Sequence, residues 1–118
     1  MRDDKRACFA LIAATIVNKR RYVSVYDFTV SKHISLSVSG VESNYLSFFD
    51  YNRGGYVSGN SESLYDYPTS SFVSLNKRGN TISCYDYETG SFVDFTVSGY
   101  GISAYDYQLS TFYNYNVN

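Results

Sequence analysis

The sequence predicts an all-β fold: tandem antiparallel hairpins in one meander, curled as a barrel or sandwich or wound as a solenoid-like sheet. Three observations predict it. The first is composition. Fourteen Tyr and eight Phe account for 19% of 118 residues, and Ser, Asn and Gly are frequent beside a single Pro. Tyr, Phe, Val and Thr favour strands, while Gly, Asn and Ser favour turns. The second is a repeat. Five segments fit Ser-x-aromatic-Asp-aromatic: Ser24–Phe28, Ser47–Tyr51, Ser63–Tyr67, Ser83–Tyr87 and Ser103–Tyr107. The third is the spacing. The shared Asp residues lie 23, 16, 20 and 20 positions apart. Two strands and two turns fill such a unit and leave no room for a crossover helix, so sequential strands must pair antiparallel.

More of each unit repeats. Seven residues after the first aromatic come His33, Tyr56, Phe72, Phe92 and Phe112, followed by Ile34, Val57, Val73, Val93 and Tyr113. Fixed periodicity of this length marks one supersecondary unit stacked on its neighbours. A long sheet of about ten or eleven such strands twists, and so it curls. The whole chain, 1–118, reads as one domain, with five repeats over 22–118 and a leading segment over 1–21.

That leading segment is read in two ways. Val17-Asn18-Lys19-Arg20 before Tyr22-Val23-Ser24 resembles Leu75-Asn76-Lys77-Arg78 before Thr81-Ile82-Ser83, which suggests a half repeat and a strand. Its frequent Ala suggests a buried helix instead, because short apolar runs suit both. Ala7–Val17 has the length of a signal-peptide core but is too short to span a bilayer. Basic residues follow it directly with no small-x-small cleavage site, so it is expected to stay on the chain. Residues 1–21 carry six basic and two acidic side chains, and the rest carries four basic and nine acidic. The two basic triplets, Arg2/Lys5/Arg6 and Lys19/Arg20/Arg21, read as solvated strand ends, so nucleic acid is not the expected partner.

Period-two parity assigns faces. Val93, Phe95 and Val97 share a face, as do Ile34, Leu36 and Val38, and as do Ile82 and Cys84. Val73, Val93, Phe95, Ile82 and Leu36 are the expected core, with Cys8 and Cys84 as small buried residues rather than a disulfide framework. The opposite face carries Ser, Tyr, Phe and Asn. The repeated Asp sits on the aliphatic parity if the strand continues through it. Either the strand ends there, or each carboxylate has a partner, because unpartnered buried carboxylates cost several kcal/mol each. Turn capping is the expected role, with Asp66, Asp86 and Asp106 accepting backbone N–H groups about two residues on.

The run Tyr85–Val93, Tyr-Asp-Tyr-x-Thr-Gly-Ser-Phe-Val, resembles the hairpins of YD-type tandem repeats, which form curled shells in large secreted proteins. Here the turn Gly comes one place later and is often Ser, and a Tyr follows the Asp. Val23–Asp27 is also loosely similar to βγ-crystallin motifs, which recur at a longer period.

Catalytic parts are sparse. His33 is the one histidine and occupies an aromatic slot, and no nucleophile elbow or phosphate-binding Gly loop occurs. No enzyme, cofactor, metal site or membrane span is therefore expected. The expected function is a binding or interaction module, its face formed by Tyr65, Tyr67, Tyr85, Tyr87, Tyr105 and Tyr107 and its partner a glycan or protein. Tyr gives flat, amphipathic contact area at low entropy cost. The alternative is a structural, self-assembling protein joined into homo-oligomers through sheet edges or aromatic faces.

Overall fold

A computed structural model describes residues 1–42 and 45–118. Helix α1 (Asp3–Asn18) comes first, followed by strands β1 (Ser24–Asp27), β2 (Lys32–Glu42), β3 (Tyr45–Asp50), β4 (Gly55–Gly59), β5 (Ser63–Asp66), β6 (Ser71–Arg78), β7 (Thr81–Asp86), β8 (Ser91–Ser98), β9 (Gly101–Asp106) and β10 (Thr111–Val117). Each strand pairs antiparallel with the next. β10 then returns to β1, with Val25 opposite Val117, and closes the sheet into a barrel. The predicted meander is therefore the fold, and of the curled forms the chain takes the barrel.

The irregular spacing of the second repeat has a local cause. β2 is eleven residues long and slips register between Val38 and Gly40, so this unit runs long. β4 is only five residues and turns back tightly into β5. Gly59 makes that turn at φ +156°, where a Cβ would lie 2.3 Å from the Ser63 carbonyl oxygen. In the turns that follow each repeated Asp, the fourth residue on is Ser31, Gly54, Ser70, Gly90 or Ser110, and all five have positive φ. The position is one backbone geometry filled by two residue types, which is why the Gly is often Ser.

The face assignment holds. Val73, Val93 and Phe95 are fully buried, and Ile82 and Leu36 nearly so. Outward positions between the barrel ends, such as Ser74, Asn76, Ser83, Thr96, Ser103 and Asn114, are hydroxyl or amide side chains and are half-buried or exposed. This is the reverse of the apolar outer band of a lipid-facing barrel. Among the described residues, no helix is long and apolar enough to cross a membrane.

The leading segment is a helix, not a half-repeat strand, and it lies inside the barrel. From Lys5 to Thr15 every residue is buried, so the helix has no solvent face. A helix apolar all round is a core element. Ala7, Ala10, Ala13 and Ala14 keep it thin and are strong helix formers. Phe9, Leu11 and Ile12 fill the lumen against the inward strand residues. The strand reading failed because matching the flanks of α1 to a repeat ignored the Ala content between them. The first basic triplet also departs from the expectation of solvated ends. Arg2 is exposed, but Lys5 and Arg6 are fully buried.

Candidate functional site

The five repeated Asp side chains all point into the lumen, because the first strand of each hairpin ends on its Asp and keeps it on the inward parity. Asp27, Asp50, Asp66, Asp86 and Asp106 are at most 3% exposed. All five precede turns at the same end of the barrel, where they face the N-terminal turns of α1. Two solutions to the cost of burial act together. The turn caps are present where the backbone allows them. Asp27 accepts the Thr29 N–H (2.9 Å), Asp50 the Asn52 N–H (2.9 Å), Asp86 the Glu88 N–H (3.2 Å) and Asp106 the Gln108 N–H (3.0 Å). Asp66 departs from the expectation. Its cap position is Pro68, which has no N–H to donate, and the carboxylate takes the Thr69 hydroxyl instead.

Cations supply the rest. Lys5 Nζ donates to Asp86 at 2.6 Å and lies 3.9 Å from Asp66. Arg6 Nη1 donates to Asp106 at 3.0 Å, its Nε to the Tyr115 hydroxyl at 3.0 Å, and its guanidinium lies 3.5 Å over the Tyr113 ring. The Met1 amino group also donates to Asp106 (3.2 Å). Arg53, in the β3–β4 turn, folds inward and bridges Asp50 (2.8 Å) to both oxygens of Asp66 (2.9 and 2.8 Å). Its hydrogen bonds to Asp66 and Asp50 outweigh the burial that would lower its pKa, and hold it above the ordinary arginine value. The positive end of the helix dipole faces the same carboxylates. The ring therefore fixes which way α1 threads the barrel; cations engage four of its five carboxylates, and Asp27 is held by its Thr29 N–H cap. Burial pushes the Cys8 and Cys84 thiols above the ordinary cysteine value, and both are free. Among the described residues, no group of three or more His, Cys, Asp and Glu side chains is arranged to hold a metal ion.

The outward face at this end carries the aromatic residues. In each repeat the first aromatic of the Asp motif lies between the second aromatic and the one from the facing strand. Tyr85 packs against Tyr87 (centroids 4.8 Å, 80°) and Phe92 (4.9 Å, 66°). Tyr65 does so with Tyr67 (4.7 Å) and Phe72 (4.8 Å), and Tyr105 with Tyr107 (4.7 Å) and Phe112 (4.6 Å). Phe49 with Tyr51 and Tyr56, and Tyr26 with Phe28 and His33, complete the set. His33 thus fills an aromatic slot. Curling does not bury these rings as a second core layer. Tyr67, Tyr87 and Tyr107 are 57%, 61% and 53% exposed, while Tyr65, Tyr85 and Tyr105 are half-buried between their neighbours.

The sequence placed the six Tyr residues on one ridge. Barrel closure instead distributes them as separate clusters around a girdle, three of five. It missed that Phe72, Phe92 and Phe112 belong to the same clusters, although their fixed offset of seven was visible. Between clusters lie shallow grooves. One is lined by Phe72 and Tyr87 with Glu62, Ser63 and Ser74. The next is lined by Phe92 and Tyr107 with Arg78, Ser83 and Asp94. No protein-family model matches the chain, and no curated protein or solved structure matches it either.

Proposed function

We propose that the chain is a non-catalytic, multivalent glycan-binding module whose contact surface is the girdle of five aromatic clusters. The observation that carries this reading is the outward exposure of rings already locked edge-to-face by their neighbours. A locked ring loses little entropy when a flat ligand stacks on it. Between the rings are hydroxyls, the Glu62 and Asp94 carboxylates and the Arg78 guanidinium rather than more apolar surface. A sugar has apolar C–H faces edged by hydroxyls and fits that alternation. The core of a protein interface is continuous and depleted of charge, and fits it less well. The alternative of assembly through sheet edges loses its basis in a closed barrel, where each strand has a partner on both sides.

A glycan array followed by saturation binding in solution tests the reading. Saturable binding to at least one glycan is expected. In the triple variant Tyr67→Ala, Tyr87→Ala, Tyr107→Ala, affinity is expected to fall at least tenfold, about 1.4 kcal/mol, with the unfolding transition retained. Binding that survives the triple variant contradicts the proposal. So does size growth with concentration in the absence of ligand, which would return the self-assembly reading.

A further inference from the structure

We infer that the groove between the fourth and fifth aromatic clusters is a subsite for a single neutral hexopyranose residue. The inference rests on the glycan-binding reading above and says where on the girdle the sugar's hydroxyls are read. The groove has a volume of about 400 Å³, and Phe92 and Tyr107 line it. Asp94 sits in the outward register of β8, opposite Ser83 on β7 and Tyr105 on β9. Its Oδ1 accepts the Ser83 hydroxyl at 2.6 Å and its Oδ2 the Tyr107 hydroxyl at 3.0 Å. A carboxylate accepts about four hydrogen bonds, so each oxygen keeps a lone pair for a ligand. The two hydroxyls fix the orientation of the carboxylate before any ligand arrives. The Asp94 carboxylate in turn holds the Tyr107 phenol above its ordinary pKa, so it stays a donor. Arg78, at the end of β6, adds guanidinium donors.

The repeat itself marks this groove out. The positions equivalent to Asp94 in the other four units are Ser35, Ser58, Ser74 and Asn114. One unit alone carries a charge there, on an outward strand position where burial gives it no structural task like that of the lumen Asp ring. A ring wall, an oriented carboxylate and a neighbouring donor are the elements that hold a pyranose by one C–H face and two adjacent hydroxyls. A uronic acid would bring a second carboxylate against Asp94, and so the neutral sugar is the predicted class.

Malto-, cello- and galacto-oligosaccharides titrated into ¹⁵N-labelled protein test the assignment. At least one series is expected to shift the amides of Ser83, Asp94 and Tyr107 in a saturable way. Asp94→Ser installs the residue that three of the other four units carry. It is expected to weaken binding at least tenfold while the amide spectrum stays dispersed, and Arg78→Ala to weaken it less. If a sugar binds, loses affinity in the triple Tyr variant but not in Asp94→Ser, the groove assignment is overturned and the girdle reading stands. If none of these sugars moves these amides while an array glycan binds elsewhere on the girdle, the hexopyranose subsite is likewise overturned. If no glycan binds at all, both fall.

Discussion

Asp86→Ala is expected to destabilise the fold by about 3–5 kcal/mol, because it strands Lys5 in the barrel lumen. Lys5 and Asp86 are both fully buried and joined at 2.6 Å. Removing one partner of a buried pair leaves an uncompensated charge, which costs about that amount. Asp66, 3.9 Å from Lys5, does not take over, since its two oxygens already receive Arg53 and Thr69, and Glu88, 3.7 Å from Lys5 and paired through its other oxygen with Arg2, offsets the loss only in part. Lys5→Met alone is expected to be nearly as damaging, for it leaves Asp86 with the Glu88 N–H and the Thr89 hydroxyl and no cation. The double variant Lys5→Met, Asp86→Asn is expected to recover more than half of either loss, because Asn can still accept the Glu88 N–H while no charge remains unpaired. Urea unfolding of the wild type, Lys5→Met, Asp86→Asn and the double variant closes the cycle that checks this. Additive losses would mean that the pair is not coupled in the folded barrel.

Phe9→Ala is expected to cost about 3–5 kcal/mol. Phe9 projects from α1 into the lumen and is 1% exposed. The cost of a large-to-small change depends on how far the surroundings collapse into the space. Here collapse is opposed on all sides. The barrel wall is hydrogen-bonded into a ring, and α1 is held in register by Lys5 and Arg6 on the carboxylates. A loss near 1 kcal/mol in the same unfolding measurement would show that the helix shifts within the lumen.

The fold class, the repeat boundaries and the inward face were readable from residue order, because a hairpin repeat imposes its period on every side chain it carries. Val73, Val93 and Phe95 announced the interior by parity alone. What the order of residues does not carry is what fills the ring that the sheet closes around. A solitary apolar stretch before five repeated hairpins gives little sign of threading through them. The clue lay in the five Asp residues on the aliphatic parity. Buried carboxylates demand partners, and Lys5, Arg6 and Arg53, which engage four of the five, are among the few basic side chains available. Arg53 occupies the turn position that Thr69 and Thr89 fill elsewhere, and that departure from the repeat was the local sign of its bridge. The aromatic residues were legible as a repeating set, but their separation into clusters depends on barrel curvature, a property of the closed ring. The last hairpin shows the same dependence. Tyr113 stands where the preceding hairpin has Val93, and Tyr115 where it has Phe95, and on the inward parity they give Arg6 a ring and a hydroxyl.

The claim on which the rest stands is that α1 fills a closed barrel, which leaves recognition to the outer face. Cys8 reports on it directly. In a Cys84→Ala variant, Cys8 is the one thiol, completely buried on α1 with its pKa raised by that burial. A thiol reagent reacts by attack of an exposed thiolate on it. In native buffer, labelling of Cys8 is therefore expected to proceed no faster than global unfolding measured separately on the same variant. Labelling within the mixing time, or at a rate independent of unfolding, would place the helix outside the lumen and contradict the account.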